Sequence, residues 1–170
     1  MIELLILHQL NQKVLTMYGI SKEIRAEFSV LTTPSYGTIK PALIRLEKAR
    51  FVKTQKSMTS GGRPSTYYSI TKDGVEELKQ KILAEPLDNP IQFLPTARVK
   101  IACAGVLSAE EQIELFRLLK LKSEMIMIDT KNLIEARQMD YLNKMVFDNL
   151  ICEYKNFNML LEGFERACKN

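Results

Sequence analysis

The sequence predicts a mainly α-helical protein with one small β-hairpin, and three observations support this fold class. Apolar residues recur at helical spacing along most of the chain, including two long stretches in the second half. Two short segments rich in β-branched and aromatic residues, at 51–55 and 66–70, flank a Gly-rich turn. With 46% hydrophobic and 26% charged residues, the composition is that of an ordinary globular protein.

The first 50 residues predict three helices. Helix one covers about 2–10 and ends at the polar residues 11–13. Helix two covers about 18–28, where Ile20, Ile24 and Phe28 share one face. Helix three should open near Pro34, because the preceding Thr32 and Thr33 can cap it and proline suits a first turn, and it should run to about residue 50.

A hairpin and a fourth helix follow. The strands at 51–55 and 66–70 enclose a turn over 57–64, and Thr71 can cap a helix that runs to about residue 85. Three helices, a hairpin and a further helix compose a winged helix-turn-helix. Pro86 and Pro90 disfavour a helix between them, so we expect two domains, 1–85 and 86–170.

The second domain predicts long helices that dimerise. Residues 91–104 predict a short helix or turn, and Ser108 with Glu111 forms a capping box that opens a long helix. In the final helix, apolar residues spaced alternately three and four apart form a seam. An antiparallel hairpin packed on itself would explain the seam, but apolar residues outside it, such as Leu118 and Leu160, favour a homodimer. The predicted dimerisation residues are Phe147, Leu150, Tyr154, Phe157, Leu161 and Phe164.

Positive charge is concentrated in the first half of the chain. Within residues 33–72, Glu47 is the only acidic residue, and the segment predicts a footprint for the phosphates of double-stranded DNA. Its cations are Lys40, Arg45, Lys48, Arg50, Lys53, Lys56, Arg63 and Lys72.

Helical spacing divides helix three into two faces. The core side should hold Ile39, Ala42, Leu43 and Leu46. The opposite face centres on Gly37, Pro41, Ile44 and Lys48, with Lys40 on one edge and Thr38 and Arg45 on the other. Small central residues would let the backbone approach a major groove. Pro41 predicts a kink, or a late helix start near Thr38.

These arguments select a set of candidate DNA contacts. Bases should be read from helix three, by Tyr36, Thr38, Lys40 and Arg45. Lys22, Lys56 and the hairpin-tip residue Arg63 should bind phosphates. A solvated turn at Arg63, and edge-strand protection by Lys56, remain alternatives. The candidates are Tyr18, Lys22, Ser35, Tyr36, Thr38, Lys40, Arg45, Lys56 and Arg63.

Catalysis, metal binding and cofactors have no support in the sequence. His8 is the only histidine and lies in an apolar helix, so we expect it to have a buried structural role. The cysteines Cys103, Cys152 and Cys168 have no CxxC spacing. No apolar run reaches the roughly 18 residues of a membrane span, so we expect a soluble, cytoplasmic protein.

Three segments resemble the PadR family of bacterial winged-helix regulators: residues 18–24, 37–47 and 62–71, the last followed by Gly74. The resemblance implies an N-terminal DNA-reading domain, a helical dimerisation segment and, commonly, repression released by a small-molecule ligand. Lys40 stands where such proteins typically have tyrosine, and Arg50 where a glycine usually ends the recognition helix.

The leading functional hypothesis is therefore a sequence-specific transcriptional repressor that binds an inverted-repeat operator. A winged-helix protein-interaction module without DNA binding is the first alternative. The surface of such a module would normally be apolar at its centre, whereas the segment 33–72 is basic at its edges. A small enzyme is the second, but it would need convergent acid, base or metal ligands.

Overall fold

The computed structural model of the chain describes residues 1–58, 64–86 and 89–169. Within them lie seven α-helices, a short 3-10 turn at Ala104–Val106 and three strands, which confirms the predicted fold class. The helices are α1 Ile2–Gln12, α2 Met17–Phe28, α3 Tyr36–Lys48, α4 Lys72–Leu83, α5 Pro90–Ala102, α6 Ala109–Ala136 and α7 Tyr141–Cys168. The strands are β1 Leu15–Thr16, β2 Val52–Met58 and β3 Pro64–Ile70.

The chain divides into two compact units. The first comprises Met1–Ala84 and Arg98–Val106, and the second comprises Glu85–Ala97 and Leu107–Asn170. The division into domains 1–85 and 86–170 stays a prediction. The compact units differ from it mainly at one segment, Arg98–Val106, which belongs to the first unit.

The sheet of the first unit has three antiparallel strands in the order β1-β3-β2. β2 and β3 pair from Val52 with Ile70 to Met58 with Pro64, so both strands extend beyond their predicted bounds toward the tip. The tip itself, including Arg63, lies outside the described residues. β1 pairs its Leu15 with Tyr68 on the other edge of β3. This strand was missed because two residues are too few to show alternation.

The starts of α2 and α3 differ from their predicted positions. Thr16 caps α2, its Oγ1 accepting from the amide of Gly19 at 3.1 Å. α3 begins at Tyr36 with Ser35 as N-cap, so the predicted start at Pro34 and the caps Thr32 and Thr33 were wrong. The amides of residues 31 and 32 both donate to the carbonyl of Phe28 at 2.8 Å, which holds that segment to the end of α2.

Pro41 lies within α3. The helix runs on through this residue from its first position at Tyr36, so the late start proposed near Thr38 does not occur. Thr38 instead belongs to the first turn, where its backbone amide and its hydroxyl both donate to the carbonyl of Ser35, at 3.0 and 2.8 Å.

α3 ends in a left-handed turn at Arg50, whose φ is 64°. The amide of Arg50 donates to the carbonyl of Glu47 at 2.9 Å, and that of Phe51 donates to Leu46 at 3.0 Å. These two bonds form a Schellman motif, in which glycine normally occupies the left-handed position. Arg50 therefore ends the helix in a backbone geometry that glycine adopts at a lower steric energy.

Gly74 allows α4 to begin against the end of α3. The predicted cap Thr71 is confirmed, because its Oγ1 accepts from the amide of Gly74 at 3.0 Å. A Cβ on Gly74 would lie 2.1 Å from the carbonyl oxygen of Phe51 and 2.8 Å from a side-chain carbon of Ile70. Only a residue without a side chain fits this approach.

The second unit is built on an antiparallel pair of long helices. Ser108 and Glu111 form the predicted capping box at the start of α6. Contacts between Phe116 and Phe164, and between Lys120 and Glu162, set the register of α6 on α7. The buried residues along α6 are Leu115, Phe116, Leu119, Ser123, Ile126 and Thr130.

Candidate nucleic-acid interface

α3 has one buried face and one open face. The side chains predicted for the core are all buried: Ile39, Ala42, Leu43 and Leu46. The residues predicted at the centre of the opposite face are all exposed: Gly37, Pro41, Ile44 and Lys48. The orientation of α3 follows from its apolar spacing. The centre of its open face carries three small or apolar residues and Lys48 near the end of the helix.

One edge of the open face is held by an ion-pair network that reaches α1 and α4. The Nε of Arg45 donates to Oε1 of Glu3 at 2.7 Å. The ammonium of Lys81 lies 3.1 Å from Oε2 of Glu3 and 2.9 Å from a carboxylate oxygen of Glu77. Burial would raise the pKa of Glu3, but the hydrogen bonds from Arg45 and Lys81 outweigh it and lower that pKa below its usual range. Glu3 is therefore firmly ionised at neutral pH.

The other edge of α3 is tied to the hairpin. Oγ1 of Thr54 on β2 donates to a carboxylate oxygen of Glu47 at 2.6 Å. Lys40, near this edge, is exposed and makes no ion pair within the described residues. Its ammonium is available to a ligand, whereas the guanidinium of Arg45 is partly engaged.

A groove of about 480 Å³ separates α2 from the start of α3. It brings together three predicted contacts, Tyr18, Lys22 and Tyr36, with Arg25, which the sequence analysis did not select. The signal for Arg25 was its spacing, since residues three apart in a helix lie on the same side as Lys22. Two cations beside two tyrosines suit a phosphate or another anion.

The remaining candidates are dispersed. Ser35 is exposed at the N-cap of α3, and its side chain caps no amide. Lys56 is exposed on β2, opposite Thr66. Arg63 cannot be placed, because it lies outside the residues that the structure describes.

Three of the six predicted dimerisation residues are covered by their own chain, and their assignment to an interface needs correction. Tyr154, Phe157 and Leu161 are buried within the chain. The ring of Phe93 on α5 lies 6.0 Å from the rings of both Tyr154 and Phe157, and the hydroxyl of Tyr154 donates to the carbonyl of Pro90 at 3.2 Å. Heptad-like spacing indicates an apolar seam, and these three residues of the seam pack against their own chain.

The other three are only partly covered. Phe147, Leu150 and Phe164 are half-buried, and Phe164 contacts Phe116 with ring centroids 5.5 Å apart. The exposed large apolar residues of the two long helices lie elsewhere. They are Leu121, Met125, Ile128 and Leu133 on α6, and Tyr141, Leu142, Met145, Val146, Met159 and Leu160 on α7.

Other polar groups have structural partners. Nε2 of His8 lies 3.2 Å from a carboxylate oxygen of Glu27, and its ring meets Phe28 edge-on. Burial, and next the charge of Glu27, raises the pKa of Cys103 to about 12, so that thiol is no nucleophile.

Within 1–58, 64–86 and 89–169, no group of His, Cys, Asp and Glu side chains is arranged to bind a metal. No helix in these ranges has the length and apolarity needed to cross a membrane.

Comparison with known proteins identifies relatives among transcriptional regulators. The sequence model of the transcriptional regulator PadR-like family matches residues 6–80. A PadR family transcription regulator from Clostridium difficile is 33% identical over 47% of this chain and 81% of its own, with a TM-score of 0.41. A transcriptional regulator from Clostridium thermocellum is 32% identical over 47% and 75%, with a TM-score of 0.43. The chain belongs to the PadR-like family of transcriptional regulators.

A solved structure of Bacillus subtilis PadR in complex with operator DNA is similar over 98% of both chains, at 19% identity and a TM-score of 0.45. The same protein in complex with p-coumaric acid is 20% identical over 99% of this chain and 95% of its own, with a TM-score of 0.43. No curated protein matches the chain.

Proposed function

We propose that this regulator is a sequence-specific DNA-binding repressor that acts as a homodimer on an inverted-repeat operator. The observation that carries the proposal is the open face of α3, whose opposite face is entirely buried while its edges present Thr38, Lys40 and Arg45. A helix anchored in this way can enter a major groove and offer donors to base edges.

The phosphate contacts should flank α3. Lys22 and Arg25 line the groove beside Tyr36, at the N-terminal end of the helix. Lys56 extends from β2 on the hairpin side. Phosphate contacts on both sides of a recognition helix fix its register on the duplex, while the helix itself distinguishes bases.

The dimer should use the open apolar residues of the long helices in place of the buried seam. Leu121, Met125 and Ile128 are spaced four and three apart, so they lie along one side of α6, and each is about half exposed. Such a stripe in water favours burial against a second copy. A two-fold dimer would place its two α3 helices about 34 Å apart, in successive major grooves.

The proposal also includes release of the repressor from DNA by a small-molecule effector, and this part rests on family membership. PadR from B. subtilis has been solved with p-coumaric acid.

A salt titration tests DNA binding and its electrostatics. The full chain is titrated by fluorescence anisotropy against a duplex of its own upstream DNA and a scrambled duplex of equal length, at several salt concentrations. Lys22→Ala and Arg25→Ala should each weaken both complexes and reduce the logarithmic salt slope by about 0.9. Lys131→Ala, which removes an exposed cation from α6, should change neither quantity. Absence of binding to any duplex would favour the protein-interaction module.

A further inference from the structure

Among residues 1–58, 64–86 and 89–169, the carboxylate of Glu3 is the one acidic group that contacts a candidate base-reading side chain of α3. Glu3 lies in the first turn of α1, 42 residues from Arg45, and its oxygens are divided between two cations. Oε1 accepts from Arg45 and Oε2 lies beside Lys81. An acidic residue at the edge of a DNA-binding surface would ordinarily repel phosphates and weaken binding.

The geometry of the contact indicates a different role. The bond to Glu3 uses the Nε of Arg45, and the side chain of Arg45 nevertheless remains 59% exposed. Arginine presents its donors in a rigid planar fork, so fixing Nε also fixes the direction of the two terminal nitrogens. With Nε occupied, the pair of terminal nitrogens is left to form the bidentate contact that guanine or a phosphate accepts.

The second cation keeps this arrangement in place. Lys81 on α4 is shared between Glu3 and Glu77, and the two carboxylates raise its pKa despite partial burial, which would lower it. The network therefore connects α1, α3 and α4 through one carboxylate. It holds a side chain that would otherwise sample many rotamers.

We propose that Glu3 is a positioning residue for DNA recognition, which holds the guanidinium of Arg45 with its terminal nitrogens directed at the operator. The inference rests on the proposed function. It assigns to α1 a part in sequence preference that acts through Arg45.

Glu3→Ala separates this role from simple electrostatics, because it removes both the charge and the acceptor for Nε of Arg45, and the two roles then predict changes in affinity of opposite sign. Removing a negative charge should strengthen binding to every duplex if Glu3 acts only through its charge. Loss of positioning should instead weaken binding to the duplex that the wild-type protein selects from a random pool, by about tenfold. Binding to a scrambled duplex of equal length should stay equal or become slightly tighter.

Two further variants complete the test. Glu77→Ala removes the other partner of Lys81 without touching Arg45, so it should leave the preference for the selected duplex unchanged. In an Arg45→Ala background, Glu3→Ala should cause no further loss of preference, because the group that Glu3 positions is gone. Glu3→Asp retains the carboxylate and should recover part of the preference.

Each result has a definite consequence. Equal effects of Glu3→Ala on both duplexes, or the same loss of preference in the Arg45→Ala background, would overturn the positioning role. The Nε–H resonance of Arg45 in the full chain should be protected from exchange in the wild type and exposed in Glu3→Ala, which checks the contact without DNA. Wild-type protein that selects no sequence would defeat the proposed function itself, and that result is obtained before any variant is made.

Discussion

The two units of this regulator bury apolar side chains to different extents. In the first unit, α1 alone supplies Leu4, Leu5, Ile6 and Leu7, each at most 3% exposed. In the second unit, α6 and α7 share a buried seam but leave Met125 49% and Leu160 47% exposed. The first unit completes its core within one chain, whereas the second has an apolar surface that a second copy would cover. Folding and association should therefore respond to different substitutions.

The largest effect should come from Gly74→Ala in the first unit. The added methyl would overlap the carbonyl oxygen of Phe51, and a backbone atom cannot move aside as a flexible side chain can. We expect a loss of about 3 kcal/mol or more in the free energy of unfolding. Thermal unfolding followed by circular dichroism measures it. The control is Gly163→Ala on α7, whose added Cβ meets no atom within 4 Å outside the backbone of its own helix and should not destabilise the chain. An equal loss of stability in the two variants would contradict the steric role of Gly74.

A change confined to the second unit should separate association from folding. The double variant Met125→Glu/Leu160→Glu places charges on the open apolar surface and should raise the dimer dissociation constant by about 30-fold or more. Analytical ultracentrifugation measures it, and the helical content should be unchanged. Val30→Glu, at a site 91% exposed in the first unit, is the matched control. A wild-type chain that is monomeric at micromolar concentration would remove the proposed dimer.

The buried Lys100 should give the first unit an unusual response to pH. Burial lowers the pKa of Lys100 to about 8, and its Nζ donates to the carbonyl of Ala84. Between pH 8 and about 10.5 the unfolded chain retains a proton that the folded chain has lost, so this group makes stability rise with pH in that window. The contribution should be roughly 3 kcal/mol. Lys100→Met should abolish the rise, whereas Lys72→Met, at an exposed position, should preserve it.

The smallest effect should be a gain in stability from Arg50→Gly. Arg50 has a φ of 64° in the Schellman motif that ends α3, and glycine adopts that backbone without the steric cost of a Cβ. We expect a gain of about 0.5 to 1 kcal/mol in the free energy of unfolding. Chemical denaturation measures it, and a loss of stability would mean that the side chain of Arg50 contributes more than its backbone costs.

The sequence predicts some features of this molecule well, because their causes are local. The buried face of α3 follows from the spacing of Ile39, Leu43 and Leu46, and the caps at Thr71 and Ser108 follow from adjacent residues. Periodicity does not show whether an apolar seam packs against its own chain or against a second copy. The predicted interface therefore includes Tyr154, which is buried within its own chain. The contact between Glu3 and Arg45 joins residues far apart in sequence, and no local pattern indicates it.

The central claim is that α3 reads DNA sequence, and its most direct test is a selection from random duplexes by wild type and by Lys40→Tyr. Lys40 is exposed and free of ion pairs within the described residues, so its ammonium can donate to N7 and O6 of guanine. A phenol would pair differently. The preferred base should change at one position in each half of an inverted repeat, by about 1 to 3 kcal/mol of discrimination, with folding and dimerisation unchanged. Identical preferred sequences for the two proteins would contradict base reading by Lys40, and no enriched sequence for the wild type would contradict the central claim.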